Sequence, residues 1–252
     1  MTILSIPFSF ILLAIAAFIA GAMNALAGGG SFITLAALVL TGLDPRAANI
    51  TSTIALFPGQ VASGYAGRSN VAGIGRMPFA ALAGISLGGG AVGALLLLAT
   101  PPSFFAAMVP YLVLFATGVF IWGSFIRKPG AVAKPLPSRV AGLLQFAVAI
   151  YGGYFGGGIG FMMLATLTVA GMAMRNAGAT KNALADAINA MAFLVFLMAP
   201  DVAWLQAAVV SVCALAGGLV GAWMLKRVNE TALRVVVICV GIALTIGLFV
   251  RD

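Results

Sequence analysis

Apolar segments recur along the whole chain, and short polar, glycine-rich or proline-rich stretches separate them. The ten segments are 8–27, 31–41, 47–66, 77–99, 103–125, 139–156, 159–171, 176–199, 202–225 and 231–250. A helix of about twenty residues crosses the roughly 30 Å of hydrocarbon in a bilayer. The pattern therefore predicts an all-α, polytopic helical membrane protein, in which 31–41 and 159–171 are too short to span the bilayer alone.

The two halves of the chain resemble each other after a shift of 129 residues, the separation of Gly28 from Gly157. The shift also places Phe32 on Phe161, Gly42 on Gly171, Arg46 on Arg175 and Thr51 on Thr180. We interpret this as an internal duplication within a single transmembrane domain, 1–252. Repeat 1 covers 8–126, a cytoplasmic linker covers 127–138, and repeat 2 covers 139–250.

The basic residues predict how the two repeats lie in the membrane, since cytoplasmic loops collect Lys and Arg. If each short segment forms a hairpin with its predecessor, ten basic residues are cytoplasmic and only Arg46 and Arg251 lie outside. If each pair instead crosses once, Lys226, Arg227 and Arg234 move outside. We therefore expect two inverted repeats, each a glycine-tipped helical hairpin plus three transmembrane helices, with both termini outside. Segment 8–27 could also cross fully before a short return, which leaves the inversion unchanged.

Glycine-rich stretches mark the two hairpin tips. They are Gly28-Gly29-Gly30-Ser31 and Gly156-Gly157-Gly158-Ile159-Gly160. Glycine allows the backbone to approach a ligand closely, and the helix that follows directs its free N–H groups and positive dipole end into the membrane. Two such ends would form an anion site, although glycines also serve close helix packing. We assign only packing to the glycines within full spans, such as Gly84, Gly88, Gly89 and Gly93.

A polar stripe on segment 176–199 is the second candidate feature. Asn182, Asp186 and Asn189 share one helix face there, and their counterparts in the first half are Thr53, Phe57 and Gln60. Thr51 and Thr180 begin the two stripes. A polar face on an otherwise apolar span indicates an inward-facing surface.

Two charged residues lie within segment 176–199. Asp186 is the only acid inside a span, so it could carry a coupling proton or pair with a cation, or it could simply hold helices together by hydrogen bonds. Lys181 could attract an anion or extend its ammonium group to the membrane interface. Arg46 and Arg175 could steer an anion or only determine topology.

Composition supports a membrane protein and argues against other classes. Hydrophobic residues make up 63% of the chain and charged residues 7%, whereas soluble domains carry about 25% charged residues. The net charge of +8 comes from scattered basic residues, so we expect no nucleic-acid partner. With no histidine, and with Cys213 and Cys239 inside apolar segments, we expect no metal and no cofactor. The chain lacks HExxH, GxSxG and Walker motifs, which argues against an enzyme or an ATP-driven pump.

Four stretches resemble the sulfite exporter TauE/SafE family over nearly the whole chain. They are Asn24-Ala-Leu-Ala-Gly28-Gly29-Gly30-Ser31, Ala48-Asn49-Ile50-Thr51-Ser52-Thr53, Gly152-Gly153-Tyr154-Phe155-Gly156-Gly157-Gly158-Ile159-Gly160 and Ala179-Thr180-Lys181-Asn182. The resemblance implies a transporter of the bacterial inner membrane that carries small anions such as sulfite, sulfonates or sulfoacetate. Asp186 matches no motif of that family.

Together these observations predict a secondary transporter that moves a small anion by alternating access. The substrate-binding residues are expected to be Asn24, Gly28, Gly29, Gly30, Ser31, Thr51, Thr53, Gln60, Gly157, Gly158, Thr180, Lys181, Asn182 and Asn189, with Asp186 coupling a proton or ion. The alternatives are a passive anion channel, or a carrier of a cation or neutral solute centred on Asp186. The expected partners are the anion and the lipid bilayer, and a homodimer stays open.

Overall fold

The computed structural model describes residues 5–26, 29–122, 137–224 and 230–251. Over these ranges the chain is all-α, with ten helices and no strand. The helices are α1 Ser5–Leu26, α2 Gly30–Leu40, α3 Pro45–Gly67, α4 Phe79–Ala99, α5 Pro102–Ile121, α6 Ser138–Tyr154, α7 Ile159–Val169, α8 Met174–Phe196, α9 Trp204–Met224 and α10 Glu230–Arg251. Each predicted segment corresponds to one helix, which confirms the all-α fold class. Most of the predicted linker, 127–136, lies outside the described residues.

The two short helices, α2 and α7, begin and end in the same way. Gly29 and Gly158 precede them with φ of 86° and 76°, in the left-handed region that glycine adopts without a Cβ clash. After each helix a second left-handed glycine, Gly42 or Gly171, donates its N–H to the carbonyl three residues back. The residue after that glycine donates its N–H to the carbonyl five residues back, which completes a Schellman motif at both C-termini.

The first helix of each half packs against a helix of the other half. α1 lies against α9, and its counterpart α6 lies against α4. Gly217 faces the backbone of Phe18 and Gly93 faces that of Ile150, so closely that any side chain would overlap the neighbouring helix. These contacts confirm the packing role for Gly89 and Gly93. Among the described residues of this chain, nothing lies within 4 Å of the position that a Cβ on Gly84 or Gly88 would occupy, so the predicted packing within the chain was wrong for that pair.

Equivalent helices of the two halves run antiparallel where they touch. Thr51, near the start of α3, accepts the N–H of Ala203, which follows α8, at 3.1 Å. Thr180, near the start of α8, accepts the N–H of Ala72, which follows α3, at 3.0 Å. α5 and α10 also pair in opposite directions, with the Tyr111 and Phe249 rings 5.2 Å apart and Gly241 against Thr117.

The outer surface of the helix assembly is apolar, as expected for a protein in contact with lipid. Among the described residues three helical stretches are long and apolar enough to cross a membrane by length and composition: Phe79–Ala99, Pro102–Ile121 and Trp204–Gly221. Large apolar side chains on other helices are also exposed, including Leu143 on α6 at 71%. The mean hydropathy of α3 and α8 is lower than that of these three stretches because the two helices carry the polar stripes. They lie at the centre of the assembly, where α3 contacts α8 and α9, and α8 also contacts α4.

Candidate functional site

A cavity of about 350 Å³ lies between α1, α2, α3, α7, α8 and α9. Pockets that hold small-molecule ligands have volumes of about 300–1,000 Å³, so this one suits a small solute. Nine of the residues expected to bind substrate or couple an ion line it: Asn24, Gly29, Ser31, Gln60, Gly158, Lys181, Asn182, Asp186 and Asn189. Both hairpin tips, the polar stripe of α8 and one residue of the α3 stripe, Gln60, therefore meet at one place.

Five other predicted residues lie outside the lining, and Gly28 lies outside the described residues. The hydroxyls of Thr51 and Thr180 are buried and hold the loops that follow the opposite helix. Thr53 donates its hydroxyl hydrogen to the carbonyl of Asn49 at 2.9 Å. The remaining two glycines pack at the tips: Gly30 lies against the backbone of Ala20, and Gly157 lies against the rings of Phe32 and Phe155.

The tip of α2 is capped by a side chain of its own half. Oδ1 of Asn24 accepts the Gly30 N–H at 2.9 Å, so one of the free amides at this helix N-terminus is already bonded. Close by, the hydroxyl oxygens of Thr34 and Ser52 lie 2.6 Å apart and bond to each other. This end of the cavity therefore has part of its hydrogen-bonding capacity used within the protein.

The tip of α7 differs from that of α2, although the sequences are equivalent. Within the described ranges no side chain accepts an N–H at the start of α7, and the residue equivalent to Asn24 is Gly153, whose Cα packs on the backbone of Gly90. The residue equivalent to Ser52 is Lys181. Its Nζ lies 3.7 Å from the position that a Cβ on Gly160 would occupy, within the first turn of α7. An ammonium group and an uncapped helix N-terminus therefore share one corner of the cavity.

The cavity contains one cation and one carboxylate that do not pair with each other. Lys181 and Asp186 are its charged lining residues, both on α8. Within the described part of the chain the one ion pair is Arg46–Asp201, so no ion pair joins the two. Oε1 of Gln60 is buried and lacks a hydrogen-bond partner among the described residues. Polar groups in the cavity are thus available to a ligand.

Some residues that line the cavity were not predicted from the sequence. Ser211 on α9 lines the cavity, as do the small residues Gly21, Gly59 and Gly218. Ser211 is an isolated polar residue in an apolar helix, and its spacing gives no signal of a site. Gly21 packs against the backbone of Ala214, whereas Gly59 and Gly218 have space around them, and all three resemble ordinary packing glycines in sequence.

Away from the cavity, polar contacts hold the start of α3 to the loop that follows α8. Nη1 of Arg46 lies 3.1 Å from Oδ2 of Asp201, and Nη2 donates to the carbonyl of Leu98 at 3.0 Å. The Arg46 side chain is 11% exposed, so this guanidinium is a structural partner here and presents little free charge to solvent. The side chain of its counterpart, Arg175, lies outside the described residues.

Comparison with known proteins identifies the family of the chain. The sequence profile described as "Sulfite exporter TauE/SafE" matches residues 13–248. A "Probable membrane transporter protein" of Haemophilus influenzae is 29% identical over 236 residues, covering 90% of this chain and 89% of the relative. The "Probable membrane transporter protein ORF9" of a Sinorhizobium species is 32% identical over 242 residues, covering 93% and 90%. No solved structure is significantly similar to the chain. The chain therefore belongs to the sulfite exporter TauE/SafE family of membrane transporters.

Proposed function

We propose that the protein is a secondary transporter of the bacterial inner membrane that moves a small anion of the sulfite or sulfonate class by alternating access. The observation that carries the proposal is the position of Lys181 beside the uncapped N-terminus of α7, inside the cavity. The family description, which names sulfite, supports the class of cargo, and the names of the two relatives support membrane transport.

The chemistry of this corner favours an anion. The N-terminus of a helix carries about half a positive charge and unbonded N–H groups, both of which stabilise a negative group. A lysine near the centre of a membrane helix costs about 2.5–3.5 kcal/mol, and an anion in contact with its ammonium group offsets part of that cost. Asn182, which also lines the cavity from α8, supplies further hydrogen bonds to an oxyanion.

The helix directions support a pair of inverted repeats. α3 and α8 are equivalent under the 129-residue shift, and the Thr51–Ala203 and Thr180–Ala72 contacts each join the start of one helix to the loop after the other. α5 and α10 are likewise equivalent and antiparallel. A twofold axis in the membrane plane relates copies in this way, and it is the arrangement of many secondary transporters.

The position of the cavity suggests which side is open. Its lining on α3 covers 55–62, the second half of a helix that ends before Arg68 and Arg76. Its lining on α8 covers 181–189, the middle of that helix, and its lining on α9 covers 211–219, toward an end that precedes Lys226 and Arg227. Both ends are cytoplasmic by the positive-inside rule. We infer that this conformation faces the cytoplasm, and that Arg46 and Asp201 close the periplasmic side.

The test is anion binding to the detergent-purified protein, followed as a thermal shift with sulfite, thiosulfate, acetate and lactate. Ligand at about a hundredfold excess over Kd raises the free energy of unfolding by about 2.7 kcal/mol. We expect a shift with sulfite that Lys181→Gln abolishes and Arg139→Gln retains. Arg139→Gln removes one positive charge from an exposed position outside the cavity, so it is the matched control. A shift that is unchanged by Lys181→Gln would refute the site.

A further inference from the structure

We propose that the cavity is built for a zwitterion, a small molecule that carries an acidic group and an ammonium group separated by a few carbon atoms. This proposal rests on the proposed function, because the acidic group would occupy the anion site at α7. It adds a second recognition site in the same cavity and thereby narrows the substrate to aminosulfonates and amino acids.

The charges of the cavity are the first reason. Lys181 and Asp186 are its two charged lining residues, one of each sign, and no ion pair joins them within the described part of the chain. They are five residues apart on α8, which corresponds to about 7.5 Å along the helix axis. A monoanion would neutralise Lys181 and leave the Asp186 carboxylate close to another negative charge. A ligand with both charges compensates each residue within a medium of low dielectric.

An unbonded acceptor is the second reason, and it is independent of the charges. Oε1 of Gln60 is buried without a hydrogen-bond partner among the described residues, and Gln60 lines the same cavity. A buried acceptor is expected to be bonded, so a donor is missing at this point. An oxyanion has no proton to give, whereas an ammonium group has three N–H donors and can bond both Gln60 and Asp186.

The differences between the two halves give the ligand one orientation. Asn24 already bonds one amide at the tip of α2, and the lysine lies at the tip of α7, so the acidic group is favoured at α7. The residue equivalent to Asp186 is Phe57, whose ring stacks on Phe193 at a centroid distance of 4.7 Å. The carboxylate therefore also comes from the second half alone. A ligand with different ends fits a site whose two halves differ in this way.

Two ligands of the same length separate this proposal from a simple anion site. Taurine carries a sulfonate and an ammonium group, and isethionate carries the same sulfonate with a hydroxyl in place of the ammonium. Calorimetry on the purified protein should give taurine a Kd at least tenfold lower than that of isethionate. Asp186→Asn should reduce this ratio to about one, because taurine loses the partner of its ammonium group and isethionate is relieved of repulsion by the carboxylate, and Lys181→Gln should weaken both ligands.

Further variants guard against misfolding. Gln60→Leu removes the orphan acceptor without removing a charge and should weaken taurine binding more than isethionate binding. Arg139→Gln should leave both affinities unchanged, and a monodisperse elution profile is required of every variant. If isethionate binds as tightly as taurine and Asp186→Asn has no effect, the zwitterion proposal is wrong and the anion site stands. If no sulfonate and no sulfite binds, the proposed function fails as well.

Discussion

Breaking the Arg46–Asp201 ion pair should open the periplasmic side of the protein. In the inferred inward-facing conformation the pair joins the start of α3 to the loop between α8 and α9, at the end remote from the cavity. Asp201→Asn keeps the size of the side chain and removes its charge. An outward-facing conformation, which must separate these two segments, should therefore become more populated.

The magnitude follows from the burial of the pair. Two unit charges 4 Å apart interact by about 4 kcal/mol at an effective dielectric constant of 20, before desolvation and lost side-chain freedom are subtracted. For exposed ion pairs the net stabilisation that remains is about 0.2–1 kcal/mol. With the Arg46 side chain 11% exposed and that of Asp201 31% exposed, we expect about 1–2 kcal/mol here. That energy corresponds to a population change of about 5–30-fold.

Chemical labelling of the cavity measures this change. Ser211→Cys places a thiol on the cavity lining, in a background where Cys213 and Cys239 are alanine. A membrane-impermeant thiol reagent applied to the periplasmic face should label the Asp201→Asn protein about 5–30 times faster than the parent. The charge exchange Arg46→Asp with Asp201→Arg should restore slow labelling. An unchanged rate from the periplasmic face would refute the gate, and equal acceleration from both faces would indicate partial unfolding instead.

Two further variants test the hairpin tips. Gly158→Ala places a Cβ at φ 76° and against Ala116, and it should lower the free energy of unfolding by about 1–2 kcal/mol. Gly84→Ala, in a helix with open space around it, should leave the melting temperature equal or slightly higher, and a loss as large as that of Gly158→Ala would contradict this expectation. Asn24→Ala removes the cap of α2 and should cost about 0.5–2 kcal/mol, while sulfite binding at α7 persists. Thermal denaturation with and without sulfite measures both effects, and a loss of binding in Asn24→Ala would show that the α2 tip takes part in the site.

The architecture was largely predictable because the lipid bilayer restricts it. Segment length and glycine or proline punctuation located the helices, and the 129-residue shift pairs Gly29 with Gly158, which have equivalent conformations in the structure. The polar spacing of Asn182, Asp186 and Asn189 correctly indicated a face that lines an internal space. These features are local, so periodicity and composition report them directly.

The contacts across the chain were not predictable in the same way. Helical periodicity gives the face on which Thr51 lies, but it does not show that a loop 152 residues away approaches its hydroxyl. The Arg46–Asp201 pair likewise joins distant segments. The difference between the two tips was present in the aligned halves, as Asn24 opposite Gly153 and Ser52 opposite Lys181, but its meaning required the positions of the side chains.

The packing of α1 on α9 also affects how the protein is made. α1 ends at Leu26 and α9 begins at Trp204, so 177 residues are synthesised between them. At about 5–20 residues per second the ribosome needs roughly 9–36 s for that stretch. During this time the face of α1 that will meet Gly217 has only lipid or the insertion machinery beside it. α1 therefore reaches its final neighbour only well into the synthesis of the second half, and neither half can complete its packing alone.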